Sequence, residues 1–327
     1  MNFCQGSLAA LAIFFALGRS DAVATTFVTL DDPLATLGTF PHKLSGDRIV
    51  GNYETSQPPS NHGFEYRIST NTWTTIDVPG STATYANGIS GNTIVGEYFD
   101  ASNARHGFLF DGVSYQTFDY PSGNSSIKGI DGSQIIGIYY DGFSVGHGYL
   151  YDGSAFKTLD APSATPVRFT VPNDISGNRV VGYFGDSTPP SGHGFLFDGS
   201  AWTVLDDPSA LKGGTTALGV SGNYVVGNYG DAIGQDHGFI LNLATDSWTT
   251  VDYPSAATGT VLCGIDGLNV IGAYGDATGN THGFLALDLV PEPPSITLAL
   301  TAVIGFLAVW KLKDSSLPPN SFFDPQP

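Results

Sequence analysis

The stretch Tyr85-Ala-Asn-Gly-Ile-Ser-Gly-Asn-Thr-Ile-Val-Gly-Glu-Tyr98, continued after a short loop by His106-Gly-Phe-Leu-Phe-Asp-Gly-Val-Ser-Tyr-Gln-Thr-Phe-Asp-Tyr-Pro121, contains one complete folding unit. Tyr85–Ser90 reads as an extended run ending in the turn dipeptide Gly91-Asn92. Thr93–Tyr98 is a second strand, rich in β-branched and aromatic residues. His106–Phe110 is a third, and Asp111-Gly112 is a hairpin turn. Val113–Asp119 alternates apolar and polar residues until Pro121 stops it. Four strands joined by tight turns within about 40 residues make a β-meander.

The unit recurs. His62, His106, His147, His193, His237 and His282 each precede Gly and an aromatic residue, at steps of 44, 41, 46, 44 and 45 residues. An Asp-x-Pro marker recurs at Asp31/Asp32-Pro33, Asp77, Asp119, Asp160, Asp206/Asp207 and Asp252. Val/Ile-Gly-x-Tyr/Phe recurs at Val50, Val95, Ile136, Val181, Val226 and Ile271. A four-stranded repeat of this period predicts a β-propeller. The ends predict how it closes. Residues 25–31 read as a fourth strand alone, and the last unit (Val261–Ile265, Val270–Tyr274, His282–Leu287) lacks one. Pairing the two completes a six-bladed ring and removes two exposed edges.

The motifs GIS-GN, IVGxY, HGFLFDG and xTxDxP resemble the extracellular HAF repeats, with His-Gly-Phe in place of His-Ala-Phe. The resemblance spans residues 25–289 and implies a secreted repeat protein of no fixed activity.

Both ends read as address labels. Leu8–Leu17 is an apolar h-region and Ala22-Val-Ala24 an A-x-A cleavage site, so residues 1–24 are expected to be a secretory signal peptide. At the other end Val290-Pro291-Glu292-Pro293 precedes the apolar run 296–310 and then Lys311 and Lys313. Fifteen apolar residues make a helix of about 22 Å, short of a ~30 Å hydrocarbon core but able to span it with snorkelling lysines. The lysines place residues 314–327 in the cytoplasm and the repeats outside. This ending, residues 290–313, resembles the PEP-CTERM sorting signal. The resemblance implies processing by an exosortase-like enzyme at the inner membrane of a bacterium that makes exopolysaccharide, and delivery to the cell surface or beyond.

Thirty acidic against twelve basic residues give a net charge of −18, which argues against nucleic acid as a partner. Of two cysteines, Cys4 falls in the expected signal peptide, and Cys263 is expected to pack in an inner strand without a disulfide. The six repeat histidines are expected to lock each blade by bonding the Asp-x-Pro carboxylate. As metal ligands they stand too far apart, on the order of 15 Å between neighbouring blades, given strand spacings of ~4.8 Å. No metal or cofactor is therefore expected, beyond weak calcium attraction to an acidic face.

A feature repeated six times is a poor active site, so function should show where the repeat breaks. Candidate positions facing the channel are Tyr85, Asn87, Lys128, Arg168 and Asn173, together with His42 and Lys43. No H-E-x-x-H or phosphate-cradling loop is present. The resulting expectation is a non-catalytic surface or matrix propeller associated with extracellular polysaccharide. The alternative is a carbohydrate-active lyase or hydrolase that uses the channel face.

Overall fold

A computed structural model describes residues 25–141, 145–162, 167–186, 192–212 and 214–290. The signal peptide with Ala22 and Ala24, and the sorting motif with Pro291, Glu292, Pro293, Lys311 and Lys313, lie outside them. Among the described residues no helix is long and apolar enough to cross a membrane.

All regular structure among the described residues is β. Twenty-four strands form six antiparallel four-stranded units. Blades 1 to 5 comprise residues 38–76, 83–117, 125–158, 169–205 and 215–251. Blade 6 comprises residues 260–287 and the closing strand Thr26–Leu30, which pairs antiparallel with Thr281–Leu287 from Thr26↔Leu287 to Leu30↔Gly283. The ring is closed by its first strand. Outer strands are shorter than the sequence suggests: Tyr115–Thr117 stands where 113–119 was expected. The reason is local, since the Asp111 carboxylate accepts N–H bonds from both Val113 and Ser114 and draws them into the turn.

Each motif residue has a packing task. The Gly of Val/Ile-Gly-x-Tyr (Gly51, Gly96, Gly137, Gly182, Gly227, Gly272) lies where a Cβ would overlap an inner-strand carbonyl and the ring of the third-strand aromatic. Those aromatics, Phe64, Phe108, Tyr149, Phe195, Phe239 and Phe284, are almost wholly excluded from solvent and form the blade cores. Burying one such side chain stabilises by about 1.5–3 kcal/mol.

The His-Gly-Phe histidine starts the third strand. Nδ1 meets the Asp-x-Pro carboxylate in every blade: His62–Asp77 (2.7 Å), His106–Asp119 (2.7 Å), His147–Asp160 (2.8 Å), His193–Asp206 (3.0 Å), His237–Asp252 (2.9 Å) and His282–Asp31 (3.0 Å). Each imidazole stacks on the aromatic that ends strand two, with centroids 5.0–5.4 Å apart. In blades 2 to 6 a second carboxylate (Asp100, Asp141, Asp186, Asp231, Asp276) approaches Nε2 at 3.3–3.7 Å. The last of the Nδ1 pairs joins the two ends of the chain.

The inner strands run from a wide mouth, on the face of the histidines, to a narrow face built from the Gly-Asn and Asp-Gly turns. Each inner strand carries a β-bulge at the same place, between Pro41 and Lys43, Ala86 and Gly88, Ile127 and Gly129, Pro172 and Asp174, Ala217 and Gly219, and Leu262 and Gly264. The extra residue of a bulge is unpaired and its side chain is re-aimed. In a ring, that aim is toward the axis.

Candidate functional site: the channel mouth

The six bulge residues, His42, Asn87, Lys128, Asn173, Leu218 and Cys263, line one cavity of about 190 Å³ in the throat of the channel. Four of these, His42, Asn87, Lys128 and Asn173, are sequence candidates. Three of them span to the next blade in the same way: His42 Nδ1–H donates to Ala86 O (3.2 Å), Asn87 to Ile127 O (2.8 Å) and Asn173 to Ala217 O (2.9 Å). Cys263 occupies the bulge rather than a paired strand position, and burial pushes its thiol up to about 12. At ordinary pH it is a neutral wall residue.

One position further along each inner strand, blades 2, 3, 5 and 6 have Gly88, Gly129, Gly219 and Gly264, and blades 1 and 4 have Lys43 and Asp174. Blades 1 and 4 are opposite in a ring of six. Lys43 Nζ crosses the axis and meets both oxygens of Asp174 at 2.6 Å. The same carboxylate accepts N–H bonds from Ile175 and Val220, both 2.9 Å. The bridge forms a floor: below it a second cavity of about 180 Å³, lined by Lys43, Ser45, Ser90, Asp131, Ser176, Ser221 and Asp266, opens to the narrow face.

Above the throat, three aligned positions border each groove between blades: the variable x of Val/Ile-Gly-x-Tyr, the residue before the histidine, and, at the inner end, the next blade's bulge residue. In groove 1/2 these are Asn52, Asn61 and Asn87, with Asn52 bonded to Asn61 at 3.1 Å. Groove 5/6 has Asn228, Asp236 and Cys263, with Asn228 bonded to Asp236 at 2.8 Å. Grooves 3/4 and 4/5 have Ile138, Gly146 and Asn173, then Tyr183, Gly192 and Leu218. Two grooves depart further.

Groove 6/1 has Ala273, Thr281 and His42, and the small side chains leave a pit of about 320 Å³. Phe40, Asp236, Thr258, Val261 and Tyr274 also line it. That volume lies at the lower end of small-molecule sites. The His42 imidazole is shared between pit and throat. Burial first, and then the Lys128 charge, lower its pKa to about 4. The ring is therefore neutral at ordinary pH.

Groove 2/3 is ionic. Glu97 lies between Lys128 (3.3 Å) and Arg105 (3.5 Å). Burial alone would raise the Glu97 pKa, but Lys128 and Arg105 hold it below the usual carboxylate value. The Arg105 guanidinium lies over the Phe99 ring (5.2 Å) and the Tyr140 ring (5.3 Å) and donates to the Tyr140 hydroxyl at 3.1 Å. Tyr85 packs edge-on to Phe99, and burial together with Glu97 raises its phenol pKa. The aromatic arc continues into blade 4 with Phe169 against Tyr183, centroids 5.5 Å apart. Tyr85 thus belongs to the groove wall rather than the throat. Arg168 is exposed ahead of its strand and lines none of these cavities. Glu97, Arg105, Asp174 and Phe40 were not singled out from sequence. Their common signal is departure from the repeat at an aligned position.

Among the described residues no three His, Cys, Asp or Glu side chains are grouped to hold a metal. The titrating groups make a pH prediction. The depressed pKa of His42 contributes stability that is present above the unfolded value of ~6.5 and lost as pH falls toward 4. His106 and His237, raised chiefly by bonds to Asp119 and Asp252, act with the opposite sign. So does His282, where the Asp31 and Asp276 bonds outweigh burial. These contributions are present below ~6.5 and lost as pH rises through the raised values. Urea midpoints are therefore expected to peak at about pH 6–7. His42→Asn, which can donate as Asn87 and Asn173 do, should flatten only the acid limb. An unchanged acid limb in that variant contradicts the assignment.

No protein-family model matches the chain, and no curated protein matches it. Solved structures do. Aleuria aurantia lectin, in a complex with Fucalpha1-6GlcNAc, is 14% identical, with 79% of this chain and 97% of that chain covered and a TM-score of 0.50. The putative TolB from Agrobacterium tumefaciens is 16% identical over 66% of this chain and 80% of that chain, with a TM-score of 0.49. The β-propeller domain of the Trilobed protease from Pyrococcus furiosus is 11% identical over 79% and 97%, with a TM-score of 0.48. At these identities the likeness shows the fold alone. The class of protein that fold and topology define is the β-propeller.

Proposed function

We propose that this chain is an exported, non-catalytic propeller that holds a saccharide unit of an extracellular polysaccharide in the mouth of its channel. The observation that carries this reading is the asymmetry of the grooves. Six repeats that agree at their histidines, glycines and core aromatics differ at the three positions that face the mouth. The result is a pit in groove 6/1 rimmed by Asp236, Thr258 and Thr281, and an arc of aromatic rings on blades 2 to 4 across the mouth from it. A sugar offers hydroxyls to the first and C–H faces to the second. Its size suits the pit.

The chemistry favours binding over turnover. Glycoside hydrolysis needs a carboxyl held protonated and a second carboxyl ~5–9.5 Å away. Glu97 is held ionised by its two cations, and burial keeps Tyr85 protonated. The PEP-CTERM-like ending supports delivery to the cell surface by an exosortase-like enzyme, with the apolar run 296–310 as the tether.

The test is a glycan array and a pull-down with native bacterial exopolysaccharide, using the full chain. At least one saccharide should be retained. Phe40→Ala and Asp236→Ala should each weaken retention about tenfold, the loss of one good contact. An array and pull-down that are both blank, or retention indifferent to both substitutions, contradict the reading.

A further inference from the structure

The ionic groove between blades 2 and 3 has the composition of an anion subsite. In a chain of net charge −18, Glu97, Arg105 and Lys128 form a local group with an excess of one positive charge. The carboxylate is the buried member. Its Oε2 is sealed from solvent without a hydrogen bond, as is Arg105 Nε. The cations retain the exposure: the Lys128 and Arg105 side chains are 22% and 26% accessible, and Glu97 only 10%.

Lys128 carries three N–H donors and uses one on Glu97. Arg105 carries five, and its plane is fixed by Phe99, Tyr140 and the Tyr140 hydroxyl. The positive potential reaches the throat, since Lys128 is one of the causes that keep His42 neutral. A buried ion pair does not by itself contribute to stability, because desolvation offsets the attraction. Five other grooves are built without a cation pair at the equivalent positions, so the blade interface does not require one.

We propose that Lys128 and Arg105, held in place by Glu97, form a subsite for a single anionic group of the saccharide, a hexuronate carboxylate. The neutral part of the ring then extends toward the pit, which meets the throat at His42 and Cys263. The inference rests on the saccharide reading above and assigns its ligand class. Charge-assisted donors of fixed geometry select a planar carboxylate. Glu97 competes internally for the same donors.

The experiment is titration calorimetry of the full chain with D-glucuronate and oligoglucuronides, against glucose and its neutral oligomers. Glucose 6-sulfate and glucose 6-phosphate serve as alternative anions. Oligoglucuronide should bind at least about tenfold more tightly than the neutral oligomer, as expected for a hydrogen bond to a charged group. The preference should shrink as NaCl is raised. Arg105→Gln and Lys128→Met should each remove it, bringing oligoglucuronide affinity to within about twofold of the neutral oligomer's for the same variant, a difference of less than about 0.5 kcal/mol.

Glu97→Gln supplies the readout that a structural role would not move. Removing the internal competitor should tighten oligoglucuronide binding several-fold, with the variant checked for a cooperative melt. Equal affinity for charged and neutral oligomers, or Glu97→Gln weakening the uronate, overturns the subsite. Neutral-oligomer binding in that case leaves the saccharide reading standing. Tighter binding of the sulfate or phosphate ester than of the uronate overturns the carboxylate assignment. Binding of no sugar of either kind overturns both inferences.

Discussion

Replacing Lys43 with Met is expected to cost about 3–5 kcal/mol of stability, the range for removing one partner of a buried ion pair. For a domain of this size that is a fall in melting temperature on the order of 10 °C. The loss comes from what remains. Asp174 is 5% exposed or less, and without Lys43 its charge keeps only the Ile175 and Val220 N–H groups. Asp174→Asn should cost a comparable amount, since it strands the ammonium group on the axis. Replacing both, Lys43→Met with Asp174→Leu, should recover much of the loss, because a volume-matched apolar pair avoids desolvating two ions. Urea melts of the two single variants and the double variant make the cycle. If the Lys43→Met midpoint shifts by less than about 0.5 kcal/mol equivalent, surface-like behaviour, the bridge is not a structural member.

The second large effect concerns the closing strand. Deleting residues 25–32 removes the partner of Thr281–Leu287, uncovers Phe284 and Leu285, and breaks the His282–Asp31 pair that joins the first strand to the last. It also removes the Asp32 N–H bond to Thr39, which holds the entry to blade 1. The remaining blade 6 presents a long unpaired edge beside an open gap. The truncated chain is expected to lose its single cooperative transition. Leu30→Ala is the milder probe: Leu30 is 3% exposed and belongs to the blade 1 core cluster, so about 2–5 kcal/mol should be lost with cooperativity intact. A truncated chain that melts like the intact one refutes ring closure as the source of cooperativity.

Much of the fold was legible because each repeat is specified by contacts within itself. His-Gly-Phe and Asp-x-Pro meet across one hairpin, and the glycine of Val/Ile-Gly-x-Tyr answers an aromatic on the adjacent strand. Short-range geometry of that kind is written in spacing. The complementary ends of the chain announced the closing strand for the same reason. The mouth was only partly legible because its contacts run between blades. Glu97 and Lys128 are 31 residues apart and in different repeats, and Lys43 and Asp174 are 131 apart. Screening inner strands for cations found Lys43 and Lys128 but missed their carboxylates. Aligning the residue after each bulge would have shown two charges of opposite sign among four glycines, three repeats apart. Tyr85 and Arg168 were read as channel residues from their place on inner strands. Tyr85 packs against Phe99 in the groove wall, and Arg168 precedes its strand.

One consequence of the topology concerns how the molecule is held. Thr26 pairs with Leu287, and Val290 packs into blade 6 with its N–H bonded to Leu268 O, beside the turn that follows the blade's inner strand. Both exits of the ring are thus on the underside, diametrically away from the cup. A linker, a sensor chip or a bilayer that grips the chain through either exit leaves the cup facing outward. A tether at the apolar run that begins at Ile296 would leave five residues after Val290, a stalk too short to turn the cup over. Attachment through a surface lysine has no such polarity, so ligand capture should depend on the point of immobilisation.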